Sequence, residues 1–433
     1  MTPAIRIGVA GLGTVGIGVL RLLSQHADLL ARRCGRRLVV DAVSARDRSR
    51  DRGVDLSSVR WFDDAAALAE DPRLDVVLEL IGGAEGTGRK VVERALACGK
   101  PVVTANKALL AVHGGDLVPA AERQGVALAF EGAVAGGLPI VKTLREGLVA
   151  NSLDSVVGIL NGTCNYILTQ MRESGRDFAE VLAEAQALGY AEADPSFDVD
   201  GIDAAHKLAI LAALAFNGRV DFAGVMVEGI REISALDINF AEILGYRIKL
   251  LGIARRGADG RVALRVHPAM IAPSKPIASV EGVLNAVVAH GSPVGSVMSV
   301  GPGAGAGPTA SAVVADLVDV VRGHKAPGFG APADGMAPLA VAPPDARVGA
   351  YYLRLMVVDR PGVIADIAAA MRDHTISVES LVQRGRAPGE AVPVVIVTHD
   401  TLERQMLGAV ARIAELDAVL EPPRLIRIEK MDD

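Results

Sequence analysis

IRIGVAGLGTVGIGVLRLLSQ, running from Ile5 to Gln25, decides how the N-terminal region folds. Ile5 to Ala10 is a short β-rich run. It ends in GLGTVG, which places Gly11, Gly13 and Gly16 in G-x-G-x-x-G register. The residues that follow, VGIGVLRLLSQHADLL, have helical apolar spacing, and LVVDAV (Leu38 to Val43) reads as the next strand. Strand, glycine turn, helix and second strand are the setting that a dinucleotide fingerprint requires. Gly11 permits the tight turn. Gly13 lets backbone N–H groups approach a pyrophosphate, with Thr14 and Val15 opening the helix. Gly16 lets the helix pack close to the strand. The positive end of the helix favours the anion. The plain alternative is a glycine-rich tight turn with no ligand.

Working outward, DVVLELIGG (Asp75 to Gly83), PVVTANK (Pro101 to Lys107) and VALAFEGAV (Val126 to Val134) alternate with helical segments. This is the pattern of an α/β, Rossmann-type doubly wound parallel sheet over residues 1–135. The tip of the second strand bears on cofactor choice. Asp41 lies too early in the strand to hold ribose hydroxyls, and the tip reads Ser44-Ala45-Arg46, followed by Arg48 and Arg50. Arginines there suit a 2′-phosphate, so NADP is expected ahead of NAD. An ordinary solvated arginine loop is the competing reading.

From residue 136 to 323 helices mix with strand-like runs, which implies an α+β substrate-binding and dimerisation domain. Near its end, GPGAGAGPTAS (Gly301 to Ser311) lacks the Gly-Lys-Ser/Thr ending of a phosphate loop. Its amides at Gly303 and Gly305 could still close over a nicotinamide, and the helix at 308–323 could return to the first domain. Residues 324–348 are rich in Pro, Gly and Ala and read as a semi-extended linker. Residues 349–433 then read β-α-β-β-α-β, the ferredoxin-like split motif.

Composition bounds the whole. At 433 residues, about three domains are expected on a prior of ~150 residues each. Half the residues are apolar and only 3% aromatic, so the cores are aliphatic. A net charge of -6 argues against a nucleic-acid partner. The longest apolar runs are too short for a bilayer. Cys34, Cys98 and Cys164 show no disulfide or zinc spacing, as expected in the cytoplasm.

The chemistry concentrates in GYAEADPSFDVDGIDAAHK, Gly189 to Lys207. Glu192, Asp194, Asp198, Asp200 and Asp203 crowd into it, although like charges repel. Asp203 and Lys207 are four apart and share a helix face. A solvated ion pair is the ordinary reading of that spacing. The surplus of acids and the apolar helix around Lys207 favour a pocket that grips a cation and moves a proton. Lys107 follows the strand ending at Val103, where loops line the ligand crevice, or it is a surface lysine at a helix start. Cys164, in NGTCN, offers a rival nucleophilic chemistry. His206 is the one histidine with a distinctive setting.

GLGTVG, TANKALLA, EGAVAGGLPIVKTLREGL, GILNGTCNYIL and GYAEADPSFDVDGIDAAHKLAIL, in this order, resemble the homoserine dehydrogenase family over residues 5–325. The tail resembles an ACT regulatory domain, with DRPGV (Asp359 to Val363) in its ligand-loop position. The resemblance implies reversible NAD(P)-dependent interconversion of L-aspartate 4-semialdehyde and L-homoserine, on the route to threonine, methionine and isoleucine. It implies that Lys207 donates the proton, that Lys107 lies near nicotinamide and substrate, and that Glu192 and Asp203 bind the substrate. It places Gly189 as well as Lys107 at the cofactor; together with the residue-level readings, the expected cofactor contacts are Gly11, Gly13, Thr14, Val15, Gly16, Arg46, Thr104, Lys107, Gly189, Gly303 and Gly305. It implies a Na+ or K+ site at Glu131, Val134, Gly136 and Leu138, a homodimer or homotetramer, and threonine as an ACT effector. Asp194, Asp198 and Asp200 receive no role from it. Two other functions stay open at this point: a cysteine-dependent semialdehyde dehydrogenase, and a catalytically dead nucleotide and amino-acid sensor.

Overall fold

Parallel strands β1 (Ile5–Ala10), β2 (Leu38–Ser44), β3 (Arg60–Phe62), β4 (Val76–Glu79), β5 (Val102–Thr104) and β6 (Leu128–Ala129) form the first sheet. The computed structural model describes residues 3–384 and 388–431. The strand order is β3-β2-β1-β4-β5-β6, which reverses between β1 and β4 and opens a crevice at their carboxyl ends. Ile7, Val9, Val77 and Leu78 are fully buried, because helices cover both faces. Gly11 has φ +101°, and a Cβ there would lie 2.5 Å from the Leu80 carbonyl oxygen. A Cβ on Gly16 would lie 2.1 Å from the Gly11 oxygen. The fingerprint turn therefore admits no side chain at either place.

The helix Ala306–Val321 packs on the helix Thr14–Gln25 and completes this core with Val313, Val314 and Leu317. At Gly18 a Cβ would come within 2.5 Å of the Ala306 oxygen, so the two backbones nearly touch.

The second region is built on β7 (Ser152–Ile159), β8 (Met226–Val227), β9 (Arg247–Arg256), β10 (Val262–Ile271), β11 (Leu284–Ser292) and β12 (Gly295–Pro302). The β11–β12 hairpin is not anticipated by the sequence reading. The run LNAVVAHGS mixes small, polar and branched residues without clean alternation, so the period-two signal is weak. Against this sheet lies the helix Ile202–Phe216, in which every residue from Asp203 onward is buried. A helix apolar on all sides belongs in a core.

The third region contains β13 (Val348–Gly349), β14 (Tyr351–Val358), β15 (Val378–Gln383), β16 (Ala391–Thr398), β17 (Thr401–Leu402) and β18 (Arg424–Ile428). Its four main strands run β18-β14-β16-β15, all antiparallel, in the ferredoxin-like order. The structure adds something that separate domains would not show. Strand β18 pairs with β10 in parallel, Ala269 with Arg427 and Met270 with Ile428. The second and third regions thus share one ten-stranded sheet. Residues 324–348 run over the body of the protein, and Phe329 is buried against Phe130 with ring centroids 5.4 Å apart.

Buried ion pairs fasten the junction. Glu403 takes Arg265 at 2.8 Å and Arg427 at 2.5 Å, and Arg427 also reaches Glu228 at 2.7 Å. Asp237 accepts from Arg354 at 2.7 Å and from the Tyr352 hydroxyl at 3.1 Å. Removing one member of such a pair strands the other charge away from water. Glu403→Ala is therefore expected to lower unfolding free energy by about 3–5 kcal/mol in urea titration. A loss smaller than about 1 kcal/mol, the range of surface pairs, would show that water reaches Arg265 and Arg427.

Candidate active site

Lys107 opens the helix Lys107–Arg123 directly beyond β5, where the Asn106 side chain caps the helix by accepting from the Leu109 N–H. Lys207 sits one turn into the helix Ile202–Phe216. Asp203 lies between them. Its Oδ1 is 2.9 Å from the Lys107 Nζ and its Oδ2 is 2.7 Å from the Lys207 Nζ. The Lys207 ammonium also donates to the Leu160 carbonyl at 2.7 Å.

These three groups do not titrate alike. Burial opposes the charge on Asp203, but the ammonium groups of Lys207 and Lys107 outweigh it and hold the carboxyl well below its usual range. Burial pushes Lys207 below an ordinary lysine, with Asp203 opposing that shift. Lys107, nearer the surface, is raised by the charge of Asp203. The buried lysine is thus the better acid of the two.

The other acids divide by partner. Asn161 donates to Asp198 Oδ1 and to Asp203 Oδ2, each at 2.8 Å. Burial and the Asp203 charge raise the Asp198 carboxyl. Asp200 pairs with Arg231, whose guanidinium also reaches the Ser196 hydroxyl at 2.9 Å. Asp194 accepts the Ser196 N–H at 3.1 Å and shapes the turn before the helix Ser196–Val199. Glu192 stays on the exposed rim, within the electrostatic reach of Lys107. Gly189 has φ +76°, as the turn after the helix Phe178–Ala187 requires.

Cys164 is fully buried. Its thiol donates to the Asp198 carbonyl at 3.2 Å, and burial raises it well above an ordinary thiol. That is the opposite of an activated nucleophile. His206 lies between the rings of Phe197 and Phe222, and burial lowers its pKa.

A cleft of about 640 Å³ opens beside Gly11 and Gly13 and is lined by Arg46, Arg50, Ile81 and Thr87. Nothing lies within 4 Å of where a Cβ on Gly13 would stand. The helix Thr14–Gln25 has no side-chain cap, so its first N–H groups, including those of Thr14 and Val15, remain available to an anion. The residues present fit a dinucleotide. Arg48 and Arg52 stack on Trp61, at 5.9 and 5.5 Å, and Asp41 is engaged by Arg60. Arg46, Arg50 and Arg52 line the cleft, and of these Arg52 is the one held over Trp61. Thr104 is not on the cleft surface. It is fully buried, its hydroxyl donating to Glu79 at 2.6 Å and accepting the Asn106 N–H at 3.0 Å, so it shapes the turn after β5. The Gly303–Gly305 loop is wedged against the turn at Gly136, where a Cβ would meet the Gly303 oxygen at 2.5 Å.

Glu131 is buried, and its two oxygens accept the N–H groups of Val141 and Lys142 at 2.8 and 2.9 Å. Burial, then the charge of Asp316, pushes its pKa up to about 7. The turn that carries Val134 and Gly136 leads to Leu138, whose carbonyl accepts the Ile140 N–H at 2.8 Å. Among the described residues no group of three or more His, Cys, Asp or Glu side chains is placed to hold a metal. Any cation here would need main-chain oxygens.

Asn161 and Arg231 went unrecognised in the sequence. NGTC carries the signal of a helix N-cap, but nothing local to it points to two distant acids.

Comparison with known proteins agrees with this geometry. Residues 11–131 match the NAD-binding domain of homoserine dehydrogenase, 139–318 match the homoserine dehydrogenase family, and 351–416 match the ACT domain. The chain belongs to the homoserine dehydrogenase family. A homoserine dehydrogenase from Pseudomonas aeruginosa is 46% identical, with 99% of each chain covered. One from Neisseria gonorrhoeae is 44% identical, again over 99% of each. The crystal structure of a homoserine dehydrogenase from Thiobacillus denitrificans is 46% identical, covers 98% of both chains and superposes with a TM-score of 0.92. Members of this family are oxidoreductases acting on a CH–OH group with a nicotinamide cofactor, and this chain is one of them. Among the described residues no helix is long and apolar enough to cross a membrane.

Proposed function

We propose that this chain interconverts L-aspartate 4-semialdehyde and L-homoserine, with Lys207 as the proton donor. The observation that carries this reading is the Lys107–Asp203–Lys207 cluster beyond the end of β5, with Asp203 and Lys207 buried. When bound, the reduced nicotinamide supplies the hydride to the aldehyde carbon. Negative charge then grows on the carbonyl oxygen. The Lys207 ammonium, desolvated and fixed by Asp203 and Leu160, stabilises that charge and gives up its proton. Lys107 supports the same oxygen or the far end of the substrate. Glu192 on the rim, with Asp203 deeper, favours the substrate ammonium. In the reverse direction neutral Lys207 takes the hydroxyl proton, which its lowered pKa assists.

The alternatives fare worse. A thiol buried like that of Cys164 cannot reach a substrate carbonyl. A sensor with a dead site would have no use for three ionised groups held in register within the core.

Five finer assignments follow. NADP is favoured over NAD by Arg46 and Arg50 on the cleft. A Na+ or K+ ion suits the hard oxygens of Glu131, Val134, Gly136 and Leu138, because Lys142 pairs with Asp316 at 3.1 Å while the Glu131 carboxylate is met by backbone N–H groups. Threonine is the expected effector at Asp359–Val363, where Gly362 (φ +97°) starts the helix Val363–Asp373. Pairing of copies into a dimer or tetramer is favoured by β12 and β15, which end the ten-stranded sheet. Three free cysteines suit residence in the cytoplasm.

Lys207→Ala is expected to lower kcat by at least about 100-fold, the usual worth of general acid catalysis, with the NADPH dissociation constant little changed. Turnover near that of the unaltered enzyme would remove Lys207 from its role. Arg46→Ala is expected to raise the KM for NADPH while leaving that for NADH unchanged; equal effects on both would speak against a 2′-phosphate contact. Thermal-shift measurements on the full chain test the remaining ligands. Threonine should raise the melting midpoint, and KCl or NaCl should raise that of the unaltered chain but not of Glu131→Gln. A flat response to threonine excludes it as effector. Equal salt shifts in both proteins exclude the cation site. Sedimentation of a single-copy species would rule out the oligomer.

A further inference from the structure

We propose that Asn161 is a positioning residue whose carboxamide holds Asp198 and Asp203 as an ionised pair beside Lys207. This rests on the function proposed above and extends it to a group outside the acid–lysine motif. Asn161 is 4% exposed. The two hydrogens of its NH2 group serve two different carboxylates, Asp198 Oδ1 and Asp203 Oδ2, each at 2.8 Å. Its Oδ1 accepts the Cys164 N–H at 2.8 Å and caps the helix Gly162–Ser174. That third bond fixes the rotamer. A flipped amide would turn its oxygen toward two carboxylates and its NH2 toward an N–H donor.

The requirement is narrow. Asp198 closes the helix Ser196–Val199 and Asp203 opens the next one, with Gly201 (φ +86°) turning the chain between them. This brings the half-buried Asp198 beside the buried Asp203, where one acid would ordinarily take up a proton. A cation at position 161 would neutralise the pair and compete with Lys207. An acid there would add a third like charge. A serine or threonine can cap the helix but has one hydrogen and cannot span both carboxylates. Asparagine alone caps the helix and donates twice without charge.

The charged groups facing Asp198 are Asp203 and Lys207 from the helix Ile202–Phe216 and Lys107 from the helix Lys107–Arg123. Cys164, its thiol on the Asp198 carbonyl, and His206, whose pKa burial lowers, complete the titratable surroundings. Both lysines draw part of their field from Asp198. If Asp198 were protonated, Lys207 would lose part of the field that keeps it charged. Asn161 therefore acts on catalysis through its two acids and needs no contact with substrate.

The test is the pH profile of kcat/KM for L-aspartate 4-semialdehyde, the direction in which Lys207 must be charged, in Asn161→Ser, which keeps a capping oxygen, and in the near-isosteric Asn161→Asp. The acid limb is expected to move upward by roughly one pH unit in the serine variant, the effect of losing one charge-assisted hydrogen bond. It should move further in the aspartate variant, and most of the rate should return at alkaline pH in both. The NADPH dissociation constant should not move. A uniform fall at every pH with the limb in place, or an unaltered profile, overturns the proposal. Carboxyl NMR titration of the full chain, with Asp198→Asn to locate the signal, reads the same shift without turnover. No displacement of the Asp198 titration in either variant also overturns it. If the unaltered chain shows no activity on the semialdehyde, the functional reading fails by itself, and the NMR titration still decides for or against Asn161. Should the serine variant not fold, Asn161→Asp carries both measurements.

Discussion

One buried carboxylate, Asp203, bridges two lysines that arrive from different parts of the chain. Lys107 comes from the end of the nucleotide-binding sheet and Lys207 from the central helix of the second region. A charge taken out of water must be met by partners at short range or it is not tolerated. Asp203 is met at 2.9 and 2.7 Å by the lysines and at 2.8 Å by Asn161. The two regions must therefore sit in one register for the cluster to exist. The position of the nucleotide crevice relative to Lys207 is set by that requirement as much as by apolar packing.

Around this centre the acid-rich stretch separates into tasks. Asp200 and Asp194 are structural, tied to Arg231 and to the Ser196 N–H. Asp198 and Asp203 form the inner pair. Glu192 remains at the mouth. A run of carboxylates that looks redundant in one dimension is distributed over three shells in space. Only the innermost is buried deeply enough for its charge to act at full strength on a lysine.

What could be read from the sequence was local. The glycine turn at Gly11–Gly16 declares itself because only glycine fits there. The β-α-β-β-α-β order of the last region shows in alternating periodicities. The Asp203–Lys207 pair follows from one helical turn. Lys107 could be placed because a strand end points into the crevice. The remainder depends on partners far away in the chain. Asn161 meets its acids 37 and 42 residues later, and a helix-cap motif reads the same whether or not they are present. The inward turn of the Thr104 hydroxyl to Glu79 could not be read, since a strand-end position does not disclose which way a side chain points. The β11–β12 hairpin lacks clean alternation. The pairing of β18 with β10 was out of reach, since the sequence of an edge strand does not name its neighbour.

That pairing has a mechanical meaning. A regulatory unit hung on a tether could pivot without disturbing the enzyme. Here the unit is laminated into the same sheet, and a change of twist in β14 or β18 is delivered to β10 as torsion. Strand β8 pairs with the same edge of β10, at Arg265 and Val266, and just beyond it Glu228 holds Arg427 while the Ile230 N–H donates to the Val199 carbonyl at 2.8 Å. The residue next to Val199 is Asp198. The sheet is thus a stiff lever whose short arm ends one residue from the inner carboxylates, and a small rotation at the regulatory end arrives there with little slack.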